Sequence, residues 1–404
     1  LQKEAIESAV NRGMLVLTGG PGTGKTTTLK AIIEILKSQD ENITLCAPTG
    51  KAAKRMEEIC KYEAKTIHRL LEASFVNGVT YFGKDKDNKI SCDTIIIDEM
   101  SMVDIKLFAA LCDALPLSSR IIMVGDSDQL PSVGAGAVLS DIIKSGRIPT
   151  VELNTVFRQA EESLIVTNAH RIICGENPVV DDNNSDFFFL RTNNKYDTVN
   201  LVADLYCNRL PKSYEGEDKE IQILCPSRMM EEGSVNINQI IQNIINPPDE
   251  SKKEMSVSPF ILREGDRVMQ IKNDYDIVFT YDDLSEGLGI FNGETGVIEK
   301  ISNSRGEIYI RFDNKLATYN HEQIKNVELC YATTIHKSQG SEYDCVVIPI
   351  FDTPEKLCYR NLLYTGITRA KSRLILVGNY NTICKMVAND KKTLRYTALE
   401  KLLR

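Results

Sequence analysis

Residues 14–27, Met14-Leu15-Val16-Leu17-Thr18-Gly19-Gly20-Pro21-Gly22-Thr23-Gly24-Lys25-Thr26-Thr27, decide how the remainder of the chain is understood. Met14 to Leu17 is a short apolar β run, the glycines interrupt it, and a helical pattern opens near Lys25. Gly19 to Thr26 satisfies G-x-x-x-x-G-K-[ST] in the strand-to-helix context the motif requires. The glycines let backbone N–H groups wrap a β-phosphate at a helix N-terminus. Lys25 then meets the β- and γ-phosphates, and the Thr26 hydroxyl ligates Mg²⁺. Gly20, Gly22, Thr23, Gly24 and Thr27 complete the expected nucleotide cradle.

Downstream, Thr94 to Ile97 is an apolar strand ending in Asp98 and Glu99. Asp98 is expected to hold Mg²⁺, and Glu99 to act as general base or to orient the attacking water. Ile121 to Val124 leads into Gly125-Asp126-Ser127-Asp128-Gln129-Leu130-Pro131, where the Gln129 amide can sense a γ-phosphate. Strands alternating with helical patterns predict a parallel sheet flanked by helices. This first α/β domain spans residues 1–150. A second, with strands at Phe187–Leu190, Ile221–Leu224, Cys345–Ile348 and Leu374–Val377, spans 151–257 plus 330–404. Residues 258–329 change to short alternating strands with no helix between them, which predicts a small β-barrel module inserted into the second domain.

The chain has 404 residues, with 48 Lys and Arg against 56 Asp and Glu, a net charge of -8. That excludes coating nucleic acid or anionic membrane by bulk charge, and leaves room for a local basic groove. The eleven cysteines are scattered with no C-x-x-C pair, so zinc ribbons and thioredoxin-type motifs lack support. No apolar run approaches a membrane span, so no membrane partner and a cytoplasmic location are expected. The first residue is Leu1, directly on an amphipathic segment, which suggests a fragment of a longer protein.

Within this acidic chain, Lys51 to Arg69 carries six basic residues against three acidic ones, a net +3. That suits a phosphate-tracking groove. Thr49, Gly50 and Lys51 end a strand and open a helix, so hydroxyl, backbone N–H and helix dipole can converge on one phosphate. A solvated helix face explains Lys54 and Lys61 equally well. Phe75-Val76-Asn77-Gly78-Val79-Thr80-Tyr81 predicts a β-hairpin within about 72–92, because Asn-Gly between β-formers favours the tight turn. An ordinary surface hairpin accounts for the pattern by itself.

The ordered motifs GGPGTGKTT, APTGKAAKRM, TIHRLL, DEMSMVD, GDSDQLPSVGAGAVL, VFRQA, YATTIHKSQGSEYD and LLYTGITRAK are similar to superfamily 1 helicases, and resemble the RecD branch shared with conjugative TraA-type proteins. The resemblance covers essentially the whole chain. It implies two RecA-like P-loop NTPase domains in tandem with ATP bound between them, an SH3-like β-module and a strand-separating pin. It implies that Gln2 reads adenine, although an exposed helix-face glutamine is an equally good local explanation. By the same resemblance Arg158 and Arg369 are the arginines that reach the γ-phosphate, and Gly340 and Glu342 contact the nucleotide, Glu342 through a ribose hydroxyl. Thr66, His68, Thr334, His336 and Ser338 match positions that contact single-stranded DNA. His68 also reads as a structural histidine.

The expected function is an ATP-dependent DNA helicase that translocates on single-stranded DNA, with 5'-to-3' polarity and a place in DNA repair or recombination implied by the resemblance alone. ATP and Mg²⁺ are the expected cofactors. Single-stranded and forked DNA are the expected partners, with protein partners reached through an N-terminal region beyond this sequence. The helicase part of a conjugative relaxase, an ATP-gated clamp or translocase that does not unwind, and an RNA substrate are the alternatives.

Overall fold

β1 (Met14–Gly19) is apolar along its length because it is covered on both faces, the situation of a central strand in a parallel sheet. In the computed structural model, which describes residues 1–76, 79–157, 162–180, 186–215, 217, 219–390, 395 and 397–404, it sits inside a six-stranded sheet. The order is β3-β2-β6-β7-β1-β8, formed by Ala64–Thr66, Ile43–Ala47, Thr94–Ile97, Arg120–Gly125, Met14–Gly19 and Thr150–Leu153. Every pairing in it is parallel. Strand alternation sorts the core into two layers. Leu15, Leu17, Ile96, Ile122 and Val124 pack in one, and Val16, Ile95, Ile97 and Met123 in the other. The strand ends carrying the motifs therefore leave the sheet at a common carboxyl edge, β6, β7 and β1 side by side.

Between the helix Ile67–Leu70 and β6, Ala73–Val76 (β4) and Val79–Phe82 (β5) pair antiparallel, with Ala73 opposite Phe82 and Val76 opposite Val79. The expected Asn77-Gly78 turn lies outside the described residues.

The chain divides into two compact units, Leu1–Cys174 with Lys391–Arg404, and Gly175–Asp390. The first runs past the residue 150 suggested by sequence pattern, because β8 pairs with β1 and the helix Leu164–Ile173 belongs with it. The C-terminal helix Leu399–Leu403 packs in this first unit, not the second.

The second unit holds a parallel sheet ordered β20-β10-β21-β22-β9. β9 (Phe187–Arg191), β10 (Ile221–Cys225), β21 (Tyr343–Ile350) and β22 (Ala370–Gly378) fall at the four expected strands. β20 (Ala332–Thr334) is too short to show a period. The insert contains the hairpin β11–β12 (Glu254–Val257, Phe260–Arg263) and a seven-stranded antiparallel sheet in the order β15-β14-β18-β17-β16-β13-β19, formed by Glu286–Ile290, Asp274–Tyr281, Lys315–Tyr319, Glu307–Phe312, Thr295–Ser302, Arg267–Gln270 and Val327–Leu329. Its β14 (Asp274–Tyr281) and β15 (Glu286–Ile290) flank a turn that carries Asp282 and Asp283.

The insert shares its core with the α/β part of the same unit. One apolar cluster joins Ile223, Val347, Ile237 and Ile241 to Val268, Ile298 and Phe312. At the seam Asp266, fully buried, accepts hydrogen bonds from Gln242 (2.6 Å), Asn246 (2.8 Å), the Arg263 N–H (2.7 Å) and the Tyr331 hydroxyl (3.1 Å). Burial pushes its carboxyl above the usual range, and the four donors oppose that shift.

Candidate functional site

The glycine-rich turn is built as its motif requires. Gly24 caps the helix Lys25–Ser38 with φ +85°, in the left-handed region. A Cβ there would also lie 2.3 Å from Phe157 Cε2 and 2.6 Å from Gln2 Nε2, so conformation and space both demand glycine. The Thr23 hydroxyl donates to Gly20 O at 2.8 Å and the Thr28 hydroxyl to Gly24 O at 3.0 Å, which tie the turn to the helix start. Lys25 Nζ donates to the Gly20 carbonyl at 2.9 Å and to that of Gly19. Thr26 and Thr27 are exposed in the first helical turn.

At the end of β6, Glu99 adopts φ +50°, a left-handed conformation rare for a residue with a Cβ. Asp98 Oδ1 accepts the Glu99 backbone N–H at 2.8 Å, and the Asp98 N–H donates to Cys46 O at 2.9 Å. Glu99 is thereby turned out of strand geometry just where the sheet ends. At the end of β7, Gln129 Nε2 donates to the buried Asp126 Oδ2 at 3.3 Å, while Gln129 Oε1 is buried with no partner among the described residues. Gln2 Nε2 is likewise buried and unpartnered among them. Gln2, at the start of the helix Gln2–Asn11, faces the turn at Gly24, and Gln129 follows β7 at the sheet edge; these two orphan amide atoms are what a bound nucleotide would satisfy. The Thr26 hydroxyl and Asp98 carboxylate are hard oxygen donors of the kind Mg²⁺ takes together with phosphate and water, so the donor set fits that ion.

Two residues that sequence reasoning did not assign join this turn. The Phe157 N–H donates to Gly22 O at 3.2 Å; the residue is 46% exposed and its ring lies beside Gly24 and Gln2. His170 Nε2 lies 3.2 Å from Pro21 O. Phe157 precedes Arg158, which offered a signal; His170 sits in a helix with no motif and offered none. Arg158 itself lies outside the described residues.

In the second unit, β21 and β22 pair with Tyr343 opposite Ala370, which brings Gly340-Ser341-Glu342 beside Arg369. Arg369 is 2% exposed, and all three of its nitrogens are engaged: Nε to Thr365 O (3.2 Å), one Nη to Ser341 O (3.1 Å), the other to Thr368 Oγ1 (3.2 Å). The expected γ-phosphate arginine is thus held inside its own unit. It follows directly on the helix Arg360–Ile367 and satisfies the end carbonyls that such a helix leaves open. Glu342 is half-buried.

The strand-contact candidates sit elsewhere on the sheets. Thr49 caps the helix Gly50–Cys60 by accepting the Ala52 N–H at 3.3 Å, with Lys51 half-buried in the first turn. Thr66 caps the helix Ile67–Leu70 by accepting the Arg69 N–H at 3.1 Å. Because β2 and β3 pair with Ala47 opposite Thr66, these two groups are neighbours on the side of the sheet away from β1. His68 stands 6.5 Å from the Phe82 ring at the hairpin base, and burial pushes its pKa down despite the opposing charge of Asp104. Thr334 ends β20 and accepts the Lys337 N–H at 3.3 Å. His336 follows, its pKa also lowered by burial. Ser338 is fully buried and donates to Ile335 O at 2.9 Å, a structural hydroxyl and not a surface contact.

A phosphate-wrapping turn and two carboxylates at one edge of a parallel sheet define a P-loop nucleotide-binding protein with a second α/β unit. Residues 2–135 match an AAA domain, 329–377 a UvrD-like helicase C-terminal domain, and 237–312 the SH3 domain of ATP-dependent RecD-like DNA helicase. The chain is 32% identical over its whole length to the ATP-dependent RecD2 DNA helicase of Deinococcus radiodurans, spanning 52% of that protein. It is 30% identical to the RecBCD enzyme subunit RecD of Mycolicibacterium smegmatis, covering all of this chain and 74% of the relative. The chain belongs to the RecD-like family of superfamily 1 helicases. The Bacteroides Pif1 helicase solved with ADP-AlF3 and single-stranded DNA shares the fold, with TM-score 0.55, 19% identity, and 95% and 93% of the two chains covered. The Candida albicans Pif1 helicase does so at TM-score 0.53 and 19% identity, over 97% and 96%. The architecture is therefore two RecA-like domains in tandem with an SH3-like insertion. Among the described residues, no helix is long and apolar enough to cross a membrane.

Proposed function

We propose that this chain is the motor core of an ATP-dependent DNA helicase that moves along single-stranded DNA and separates duplex strands. The observation that carries the reading is Glu99, held at φ +50° beside Asp98 on the same sheet edge as the phosphate-wrapping turn. Strained backbone at such a place aims a carboxylate at a reacting water. Lys25 binds the β- and γ-phosphates, Glu99 positions or deprotonates the water, and Gln129 reads the γ-phosphate. Gln2 and the Phe157 ring offer an amide and an aromatic face to the base. Thr26 and Asp98 would hold Mg²⁺, which would supply neutralisation of phosphate charge. Arg158 and Arg369 complete the charge stabilisation, Arg369 after leaving its present partners.

Thr49, Gly50, Lys51, Thr66 and His68 form one grip on the strand, and Thr334 and His336 the other. Alternation between them gives directional steps, 5'-to-3' by family membership, toward a forked substrate split at the β4–β5 hairpin. The relatives named as DNA helicase and as RecBCD subunit support this reading, as does the single-stranded DNA bound to the Bacteroides fold relative.

The test is ATP turnover with and without single-stranded DNA, followed by unwinding of 5'-tailed, 3'-tailed and RNA-tailed duplexes. DNA-stimulated turnover, abolished by Lys25→Ala, with unwinding of the 5'-tailed substrate is expected. Turnover by Lys25→Ala at the unaltered rate would overturn the site, and turnover without strand separation would reduce the activity to translocation.

A further inference from the structure

The last residues of the chain follow the second unit in sequence but belong to the first. Leu399 and Leu403 pack with Ile143 and Ile148 against the first unit's core, and the Arg147 guanidinium donates to the Arg404 backbone carbonyl. Ahead of this anchored helix stands Arg395. Its two Nη atoms donate to the carbonyls of Ser132 at 2.6 Å and Gly134 at 2.8 Å.

Those carbonyls lie on the loop that leaves β7 and carries Gln129. The near end of the loop is fixed by Asp126, whose carboxylate accepts the Asp128 N–H at 3.0 Å and the Gln129 amide at 3.3 Å. The far end is fixed against the helix Ile105–Ala114. The Ile105 N–H donates to Ala135 O at 3.0 Å, and a Cβ on Gly134 would sit 2.2 Å from Asp104 Oδ2. Between these ends, Ser132 is 3% exposed, so its carbonyl relies on a protein donor. Arg395 is the charged donor supplied, and its planar fork spans two carbonyls at once, which a lysine cannot reproduce.

We propose that Arg395 is a positioning residue for nucleotide hydrolysis: it clamps the 132–134 segment and so sets where the Gln129 amide stands. This rests on the reading of Gln129 as the γ-phosphate-sensing residue. It makes Arg395, which lies outside the ordered motifs, a working part of the nucleotide site. Loss of the clamp lets the loop drift while leaving the phosphate-wrapping turn untouched, so turnover falls and nucleotide affinity does not.

The experiment uses the full chain and steady-state ATP turnover at saturating single-stranded oligonucleotide, with thermal melting as a fold control. Arg395→Ala is expected to lower kcat roughly tenfold, since small misplacements of a catalytic group carry such losses, and to shift KM for ATP by less than about twofold. Arg395→Lys is expected to recover part of the rate. Arg395→Ala added to Gln129→Ala is expected to cause no further loss, because both act through one amide. Unchanged kcat in Arg395→Ala, alongside a depressed Gln129→Ala, overturns the clamp and leaves the sensor standing. Multiplying losses in the double variant overturn it too, since Arg395 then acts by another route. Unchanged kcat in Gln129→Ala fells the sensor assignment and the clamp with it, and the silent single variant tells the two failures apart. If Arg395→Ala melts below assay temperature, Arg395→Lys carries the same comparisons at about threefold.

Discussion

The Phe157 ring lies so close over Gly24 that a Cβ on the glycine would meet its Cε2 at 2.3 Å. The ring is partly exposed and stands beside the Gln2 amide, so it is available to a flat ligand. Phe157→Ala is expected to raise KM for ATP about fivefold with little change in kcat, the size of a lost aromatic packing contact near 1 kcal/mol. Steady-state kinetics over a range of ATP concentrations decide it. An unchanged KM would show that the ring only covers the glycine.

Gly24→Ala combines a left-handed backbone with that clash. The left-handed conformation alone costs an alanine about 1 kcal/mol, and the ring must move as well. Nucleotide affinity is expected to fall by at least roughly tenfold while global melting changes little, because the distortion is confined to the turn. Equilibrium binding of a fluorescent ATP analogue tests this, and wild-type affinity would contradict it.

Glu99 stores strain at φ +50° that a glycine would not feel. Glu99→Gly is therefore expected to match or exceed wild-type stability, by up to about 1 kcal/mol, while turnover drops by roughly 10²- to 10⁴-fold with the loss of general-base chemistry. Urea denaturation and ATP turnover on the same preparation form the test. A destabilised Glu99→Gly would mean that the carboxylate holds the fold.

Asp266 gathers four donors in a buried seam between the inserted module and the helix Ser234–Ile245. Asp266→Ala removes the acceptor of the Tyr331 hydroxyl and of one N–H on each of Gln242 and Asn246, whose amides keep Ile261 O and Glu264 O, and is expected to cost about 3 kcal/mol; Asp266→Asn, which keeps one carbonyl, costs less. Chemical denaturation of the second unit's signal measures it. A loss below about 0.5 kcal/mol for the alanine variant would show the network to be dispensable.

His68 and His336 both have pKa values held below the ordinary 6.5 by burial. The unfolded chain therefore takes up their protons first as pH falls. Their contribution to stability is fully present above pH 6.5 and is lost as pH drops from there through the lower folded values. Denaturation midpoints between about pH 8 and about pH 5 are expected to decline on the acid side, and His68→Asn with His336→Asn to flatten that decline. An unaltered pH profile in the double variant would rule the histidines out as its source. Asp266, raised by burial, titrates with the opposite sign, so the comparison rests on the variants and not on the raw curve.

The nucleotide turn, the Asp98-Glu99 strand end and the parallel strands were legible because each is a local pattern: an apolar run of strand length, a glycine where φ turns positive, a carboxylate one residue past burial. The strands β14 and β15 were not, since Asp274–Tyr281 and Glu286–Ile290 are held by antiparallel partners and carry exposed Val278 and Leu288 where alternation would want polar residues. Ser338 matches a family position that contacts single-stranded DNA, which is a match of local sequence, whereas its complete burial is set by packing.

By itself the sequence determined the chemistry available at each strand end, because wrapping a phosphate or aiming a carboxylate needs contiguous residues of fixed type. Only the tertiary structure decided which of those ends are neighbours, β6, β7 and β1 in one place and β2 with β3 in another. It also decided that Arg369 lies buried among Thr365, Ser341 and Thr368, and that Arg395 returns to the Gln129 loop. Those outcomes depend on contacts between residues far apart in the chain, where burial and the satisfaction of backbone carbonyls, and not local periodicity, set the position.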